Sequence, residues 1–163
     1  KKIGLIGHSF GGFETTYIIG KSDLFAAAIA GAAQTDYLSG YFTVSENYKK
    51  AEFWRYEYYQ NRMGKPLFED VQGYIHNSAV YNSPTIETPL LLWTGAKDGH
   101  VSPLQSMELY LAMRRQGKKV TMLRYPEEDH SLENELKQND LTQKVMDWFD
   151  YYLKDQPAKK WML

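Results

Sequence analysis

The sequence predicts an α/β fold, with a mainly parallel β-sheet and helices packed on both of its faces. Two observations predict it. Short apolar runs alternate along the 163 residues with longer segments of helical periodicity, which is the pattern of repeated strand–helix units. In the run at residues 90–94 the apolar residues do not alternate with polar ones, which is typical of a strand buried on both faces. The four predicted strands are residues 2–6, 25–31, 90–94 and 120–125.

The predicted helices are residues 11–20, 51–61, 71–78, 103–116 and 133–154. In the fourth, apolar residues dominate one helical face, and Gly117 marks its end. In the last, six apolar side chains recur at helical spacing, and we interpret them as core positions rather than a partner surface. They are Leu136, Leu141, Val145, Trp148, Phe149 and Tyr152.

The first strand leads directly into a motif that suits a nucleophile. The run Gly7-His8-Ser9-Phe10-Gly11 fits G-x-S-x-G and joins the strand to the first helix. A turn of this kind holds the serine in strained backbone geometry, and we expect Gly7 and Gly11 to relieve the crowding around it. The motif predicts that Ser9 is a nucleophile and that the backbone N–H of Phe10 is one oxyanion donor.

An irregular and aromatic segment, residues 35–59, follows the second strand. Its rings either pack the segment onto the domain or line a specificity pocket, and the sequence leaves both open. Asp36 comes directly after the strand and is one candidate for a catalytic acid. The aromatic residues are Tyr37, Tyr41, Phe42, Tyr48, Phe53, Trp54, Tyr56, Tyr58 and Tyr59.

The loop after the third strand supplies the favoured acid. Asp98 lies just beyond the strand, at the carboxyl edge of the sheet, where sites form in open α/β folds. There it would hold a histidine in one tautomer and stabilise its cation. Asp36 is a weaker alternative. Asp129 adjoins a histidine and is expected to point elsewhere, and Asp140 falls in a polar helix.

The loop after the fourth strand supplies the favoured base. Of the four histidines, His8 lies inside the nucleophile turn and cannot fold back onto the serine. His76 lies in a predicted helix before the favoured acid, and His100 is only two residues after that acid. His130 follows the last strand in a polar loop and completes the chain order serine, acid, histidine.

The composition excludes several classes of function. A net charge of −1 gives no electrostatic case for binding nucleic acid or an anionic membrane surface. No apolar run approaches the ~20 residues that a membrane-spanning helix needs. The chain has no cysteine, and its histidines and carboxylates match no metal-site template. We therefore expect no metal and no organic cofactor, while the compartment stays open.

Three motifs together resemble a known family. They are Gly7-His8-Ser9-Phe10-Gly11-Gly12, Gly95-Ala96-Lys97-Asp98-Gly99-His100-Val101 and Tyr125-Pro126-Glu127-Glu128-Asp129-His130. Over roughly residues 2–154 the chain resembles the catalytic domain of the prolyl oligopeptidase family of serine peptidases, with its dipeptidyl-peptidase-IV-like and acylaminoacyl-peptidase-like members. The interval from Asp98 to His130 (130 − 98 = 32 residues) suits that family. The resemblance implies an α/β-hydrolase fold, a triad of Ser9, Asp98 and His130, and hydrolysis of oligopeptides.

The resemblance also implies substrate contacts, and here the sequence departs from the family's pattern. Dipeptidyl-peptidase-IV-like members usually carry an asparagine two residues after the acid, where it helps to hold the substrate carbonyl. This chain has His100 there, and Val101 follows it. The family's tyrosine-rich wall after the second strand is altered to a longer segment that contains Tyr37 and Tyr41. These four residues are our candidates for substrate binding.

The resemblance further predicts how the domain is divided. An α/β-hydrolase core has further strands before the one that carries the nucleophile, and this chain starts at that strand. We expect residues 1–163 to be the carboxyl-terminal part of a catalytic domain, whose upstream strands and β-propeller lie outside this chain. The expected partners are an oligopeptide substrate and the amino-terminal part of the same protein, which would add the second oxyanion donor. For the chain as given, we expect either self-association through the exposed edge of the first strand or a companion chain that supplies the missing strands.

Two other functions stay open. One is a carboxylesterase or lactone hydrolase on the same fold, since Ser–His–Asp chemistry does not distinguish esters from amides. The other is a non-catalytic interaction module that only retains the fold, against which the intact Ser9, Asp98 and His130 argue.

Overall fold

A parallel four-stranded sheet forms the centre of residues 2–162, the part of the chain that the computed structural model describes. The strands are β1 (Gly4–His8), β2 (Ala27–Gly31), β3 (Val44–Ser45), β4 (Lys50–Ala51), β5 (Leu90–Gly95) and β6 (Val120–Tyr125). The main sheet has the order β1-β2-β5-β6, with every neighbouring pair parallel. β3 and β4 form a separate antiparallel hairpin. The predicted parallel sheet is thereby confirmed. β1 begins and ends two residues later in the chain than predicted, and so includes part of the nucleophile motif.

Seven α-helices lie within the described residues. They are α1 (Phe10–Lys21), α2 (Tyr37–Tyr41), α3 (Phe53–Glu57), α4 (Val71–His76), α5 (Ala79–Asn82), α6 (Pro103–Arg115) and α7 (Glu135–Lys154). Three short 3₁₀ turns accompany them at Leu67–Glu69, Ser83–Thr85 and Lys160–Met162. None of the helices in residues 2–162 combines the length and the hydropathy that crossing a membrane requires.

Alternate residues of the central strands face two apolar cores, one on each face of the sheet. On one face, Ala28 and Leu92 pack with apolar side chains of α1 and α6. On the other face, Ile29 and Leu91 pack around Trp148 of α7. Because successive side chains of a strand point to opposite faces, a continuous apolar run is what this two-sided packing needs. Helices on both faces are thus observed as predicted.

The two long helices that flank the last strand begin at capped positions. The Ser102 hydroxyl accepts a hydrogen bond from the N–H of Leu104, and Pro103 occupies the first turn of α6. The Asn134 side chain accepts from two N–H groups in the first turn of α7. Gly117 lies beyond the end of α6 with a φ of +71°, a left-handed conformation that glycine adopts without steric cost.

The helix predicted at residues 51–61 is shorter in the structure, where α3 covers only Phe53–Glu57. Before α3, Ala51 belongs to the hairpin, since β4 pairs with β3. After α3, the N–H of Met63 donates to the carbonyl of Tyr56 at 2.9 Å, which folds the chain back along the helix. Both ends are therefore set by contacts with other segments, which local periodicity does not report.

The helix predicted at residues 71–78 ends at His76, and α5 starts as a separate helix at Ala79. Ser78 lies between them with extended backbone angles. Its hydroxyl donates to the carbonyl of Tyr74 and accepts from the N–H of Tyr37, so it links this bend to α2.

The aromatic segment forms a third apolar cluster. Tyr37 and Tyr41 of α2 pack with Tyr56 of α3, Tyr74 of α4 and Leu67. The Tyr37 and Tyr56 rings meet edge to face, with their centroids 5.0 Å apart. Tyr37, Tyr41 and Tyr56 are thus packed onto the domain, whereas other rings of the segment, such as Phe42 and Tyr58, are exposed, and the pocket interpretation stays a prediction.

The closest packing within the sheet gives a stability prediction. Gly31 of β2 lies beside Trp93 of β5, and a Cβ at Gly31 would overlap the indole ring. We expect Gly31→Ala to lower the free energy of unfolding by about 1–3 kcal/mol, the usual effect of overpacking a core. Urea unfolding measures it.

Gly20→Ala, in the last turn of α1, is the matched control. A Cβ at Gly20 would lie 3.6 Å from its nearest neighbour, which is an ordinary van der Waals distance. This variant should be neutral, or stabilised by up to ~1 kcal/mol through helix propensity. Equal stability of the two variants would contradict the packing described for Gly31.

Candidate active site

The turn between β1 and α1 holds Ser9 in a strained conformation. Ser9 has φ 60° and ψ −120°, outside the regions that non-glycine residues favour. Its N–H donates to the carbonyl of Gly31 at 2.8 Å, so the turn is fixed to the end of β2. A Cβ at Gly7 would overlap the carbonyl of Gly11, which explains why the residue before the turn is glycine.

The expectation that Gly11 relieves the crowding is wrong. A Cβ at Gly11 would face open space, whereas one at Gly12 would lie 2.8 Å from the carbonyl oxygen of Gly31 and from the Cβ of Ala33. The close approach after the turn is therefore made by Gly12, where α1 crosses the end of β2.

Asp98 lies in the loop after β5 with no part of its side chain exposed. Its Oδ1 accepts hydrogen bonds from the N–H groups of His100 at 2.9 Å and Val101 at 2.8 Å. Its Oδ2 lies 2.9 Å from Nδ1 of His130. These three donors satisfy a carboxylate that burial would otherwise disfavour.

His130 joins the acid to the serine. Its Nε2 lies 2.8 Å from Oγ of Ser9, while its Nδ1 faces Asp98. Because a carboxylate only accepts hydrogen bonds, the neutral ring carries its proton on Nδ1, and Nε2 is left to accept from the serine hydroxyl. The structure thus brings Ser9, His130 and Asp98 into one hydrogen-bonded chain at the carboxyl edge of the sheet.

The carboxylates of the other candidate acids bond to partners other than the ring of His130. Asp36 caps α2, where its Oδ1 accepts from the N–H of Leu38. Asp140 accepts from the hydroxyl of Tyr125 and pairs with Lys144. Asp129 accepts from the backbone, as described next.

The carboxylates of Asp129 and Glu128 hold the loop of His130. The sequence analysis did not assign this role to either of them. Asp129 Oδ1 accepts from the N–H of His130 itself and from the N–H of Gly99, at 2.6 and 2.9 Å. Burial would raise the pKa of Asp129, but these N–H donors outweigh it and hold the pKa below its ordinary value. The carboxylate of Asp129 therefore ties the main chain of the Asp98 loop to that of the His130 loop.

Glu128 anchors the same loop to α7. Its Oε2 accepts from the N–H of Glu133 at 2.6 Å, and its Oε1 accepts from Nζ of Lys137 at 2.8 Å. The hydrogen bond from Lys137, followed by the one from Glu133, holds the pKa of Glu128 below its ordinary value.

Two further histidines contact His130. The ring of His8 lies 4.9 Å from that of His130 and stacks on Trp93, and its Nε2–H donates to the carbonyl of His130 at 2.8 Å. The ring of His100 lies 4.4 Å from that of His130. Burial, followed by the charge of Arg55 and the neighbouring ring of His130, lowers the pKa of His100 to about 4. His100 is therefore neutral at neutral pH.

The candidate substrate-binding residues lie in two places. His100 and Val101 belong to the acid loop, and His100 lines a cavity of about 300 Å³ together with residues of the β3–β4 hairpin. Tyr37 and Tyr41 lie in the aromatic cluster, with only 1% and 7% of their surface exposed. Their contact with substrate stays a prediction. Within residues 2–162, no three histidines or carboxylates are grouped as a metal site requires.

Comparison with known proteins gives the family and the fold. The model of the prolyl oligopeptidase family matches residues 1–156. Uncharacterized peptidase YuxL of Bacillus subtilis (strain 168) is 26% identical over 156 residues, which cover 94% of this chain and 22% of that protein. The acylamino-acid-releasing enzyme of Arabidopsis thaliana is 25% identical over 154 residues, with 94% and 20% covered.

Among solved structures, an acylaminoacyl peptidase in complex with Z-Gly-Gly-Phe-chloromethyl ketone has the same fold. It superposes with a TM-score of 0.81 at 21% identity, over 99% of this chain and 25% of that one. The chain thus spans between 20% and 25% of the length of these three proteins.

The anchoring of the His130 loop gives a pH-dependent prediction. Because the pKa of Glu128 lies below 4.5 in the folded protein, its contribution to stability is complete above that pH. The contribution is lost as the pH falls through the lowered pKa. We expect Glu128→Gln to be less stable than the parent at about pH 7, with a difference that shrinks toward about pH 3.

Urea unfolding at the two pH values measures this difference. Glu14→Gln, at an exposed position on α1, is the control and should change little at either pH. A difference for Glu128→Gln that stays constant between the two pH values would contradict the assignment.

Proposed function

The chain belongs to the prolyl oligopeptidase family, and from this membership we propose that it is the carboxyl-terminal part of the catalytic domain of a serine peptidase. The substrates are oligopeptides, whose peptide bonds are hydrolysed through an acyl-enzyme. The observation that carries the proposal is the hydrogen-bonded chain from Ser9 through His130 to the buried Asp98. Membership of the family supports a peptidase, and the geometry supports the serine type.

The reaction begins with transfer of a proton from Ser9 to His130. Nε2 of His130 accepts the hydroxyl proton as Oγ of Ser9 attacks the peptide carbonyl, and Asp98 stabilises the imidazolium that forms. The imidazolium then gives its proton to the leaving amine, and the C–N bond breaks to leave an ester on Ser9. Water, activated by the same histidine, hydrolyses that ester and regenerates the serine.

Phe10 supplies one donor for the oxyanion in this proposal. It is the first residue of α1, so its N–H has no acceptor within the helix. The helix N-terminus also adds a partial positive charge where the negative oxygen develops. The second donor comes from the upstream part of the protein.

The names of the relatives favour peptides over other acyl compounds as substrates. Two of the three proteins compared are named for releasing acylated amino acids or as acylaminoacyl peptidases. A carboxylesterase or lactone hydrolase remains the second candidate, because the same three side chains cleave esters. A comparison of kcat/KM for matched peptide and ester substrates separates the two.

A direct test of the nucleophile uses a fluorophosphonate, which labels an activated serine. We expect the full-length protein to be labelled and the Ser9→Ala variant to be unlabelled. Ser9→Ala and His130→Ala should each abolish nearly all peptide hydrolysis, and the double variant should be little worse, since triad members act as a unit. An unlabelled full-length protein would favour the non-catalytic interaction module.

The identity of the acid is tested by a matched pair of variants. Asp98→Asn should lower kcat by about 10⁴, the effect found when the acid no longer sets the histidine tautomer in a serine protease. Asp36→Asn should retain kcat, because asparagine caps a helix about as well as aspartate does. A severe loss for Asp36→Asn with a mild one for Asp98→Asn would reverse the assignment.

The edge of β1 supports the proposal that upstream strands complete the sheet. Among the described strands β1 pairs only with β2. Ile3 and Ile6 are 49% and 54% exposed at this edge. An apolar strand with unpaired N–H and C=O groups is a template for association, and the upstream strands of the same protein would cover it.

Expressed alone, residues 1–163 should therefore self-associate in light scattering. Ile6→Lys should weaken this association, since charge on an edge strand opposes pairing. Leu111→Lys, at an exposed apolar position on α6, is the control and should not weaken it. A stable monomer of the parent sequence, or equal effects of the two lysines, would contradict the use of this edge.

A further inference from the structure

The base His130 belongs to a column of aromatic rings, in which its own ring contacts those of His8 and His100. The ring of His100 lies 4.4 Å from that of His130, at an interplanar angle of 41°. His100 also contacts Tyr48, which lies in the turn of the β3–β4 hairpin. The centroids of these two rings are 4.9 Å apart. Trp54 meets Tyr48 edge to face at 6.2 Å. The column runs from the hairpin, through the acid loop, to the base.

Hydrogen bonds fix the column at two points. The N–H of His100 donates to the same carboxylate that holds His130, at 2.9 Å. The hairpin is fixed to the acid loop because the Ser45 hydroxyl and the Asn47 N–H both donate to the carbonyl of Gly99, at 3.0 and 3.1 Å. The N–H of Tyr48 donates in turn to the Ser45 hydroxyl. The rings therefore have defined places beside the base.

The base needs such a contact. The two hydrogen bonds of His130 run through Nδ1 and Nε2, and together they define one axis across the ring. The ring is joined to the main chain through two rotatable bonds, and the rings packed beside it, those of His8 and His100, limit small rotations about these bonds. Misplacement by about 1 Å costs on the order of 10²-fold in rate.

We propose that His100, which is itself in contact with Tyr48, is a positioning residue that limits the tilt of the His130 ring. The inference rests on the proposed function. It assigns to His100 a role as a flat ring rather than as a hydrogen-bond donor to the substrate carbonyl, the role that the family resemblance implies for this position.

The charges around His100 are consistent with this role. Arg55, Asp98, Asp129 and His130 are the ionisable groups that act on it, and Tyr48 packs against it. The balance keeps the ring neutral at neutral pH. A neutral ring does not repel the imidazolium that forms on His130 during the reaction.

The two roles of His100 predict opposite results for two variants of the full-length protein. His100→Asn removes the ring but supplies an amide donor, whereas His100→Phe keeps a flat ring without a donor. We expect His100→Asn to lower kcat at least tenfold with KM changed less than threefold. His100→Phe should restore most of that loss in kcat.

The hairpin provides a second, independent pair. Tyr48→Ala should lower kcat with little change in KM, and Tyr48→Phe should recover it, because only the hydroxyl is lost. This pair keeps the proposal testable if His100→Asn does not fold. The rate of labelling of Ser9 by a fluorophosphonate should follow kcat in all four variants.

The remaining outcomes overturn the proposal. A raised KM for His100→Phe with kcat retained in His100→Asn would assign His100 to the substrate. Equal kcat for the two His100 variants, whether both high or both low, would exclude ring packing as the cause. If the parent protein is labelled and Ser9→Ala is not, the proposed function stands whatever the His100 and Tyr48 variants do. If the parent is neither labelled nor active, both proposals fail.

Discussion

The site depends on keeping the buried carboxylate of Asp98 satisfied. A carboxylate removed from water is unstable unless hydrogen-bond donors replace the lost solvent. Two of its donors are N–H groups of its own loop, which therefore must curl around Oδ1. The third is Nδ1 of His130, which reaches Oδ2 from a different loop. The need of this one buried carboxylate for hydrogen-bond donors thus determines the shape of the Asp98 loop and both the position and the tautomer of His130.

The loops of acid and base support each other beyond this one bond. The N–H of Lys97 donates to the carbonyl of Glu128 at 2.8 Å, and Asp129 accepts from Gly99. A Cβ at Gly95 would overlap the main chain of the second loop, so a glycine ends β5 where the two loops meet. This pairing extends the parallel register of β5 and β6 past the ends of the strands. Contacts that involve the main chains of the two loops therefore set the relative position of Asp98 and His130, and the side-chain rotamers then adjust it.

The sequence predicted the parts of this arrangement that local signals specify. Apolar runs located the four strands, and the turn motif with its flanking elements located Ser9 at the sheet edge. The sequence did not predict the β3–β4 hairpin, the early end of α3 or the roles of Glu128 and Asp129. The hairpin and Asp129 are held by hydrogen bonds between segments far apart in the chain, from Asn47 to Gly99 and from Gly99 to Asp129. The end of α3 and the role of Glu128 depend on turns and loop contacts that have no apolar periodicity. Gly12 was missed because its neighbour lies in the next strand.

The order β1-β2-β5-β6 has a consequence for synthesis on the ribosome. Each strand of the main sheet joins the edge left by the strand made before it, so no later strand has to be inserted between earlier ones. Folding can therefore follow translation from one edge to the other. His130 lies after the last strand, and Lys137 of α7 helps to hold its loop. In a nascent chain the turn that holds Ser9 is therefore made before His130, so the hydrogen-bonded chain of Ser9, His130 and Asp98 can form only after the last strand has been synthesised.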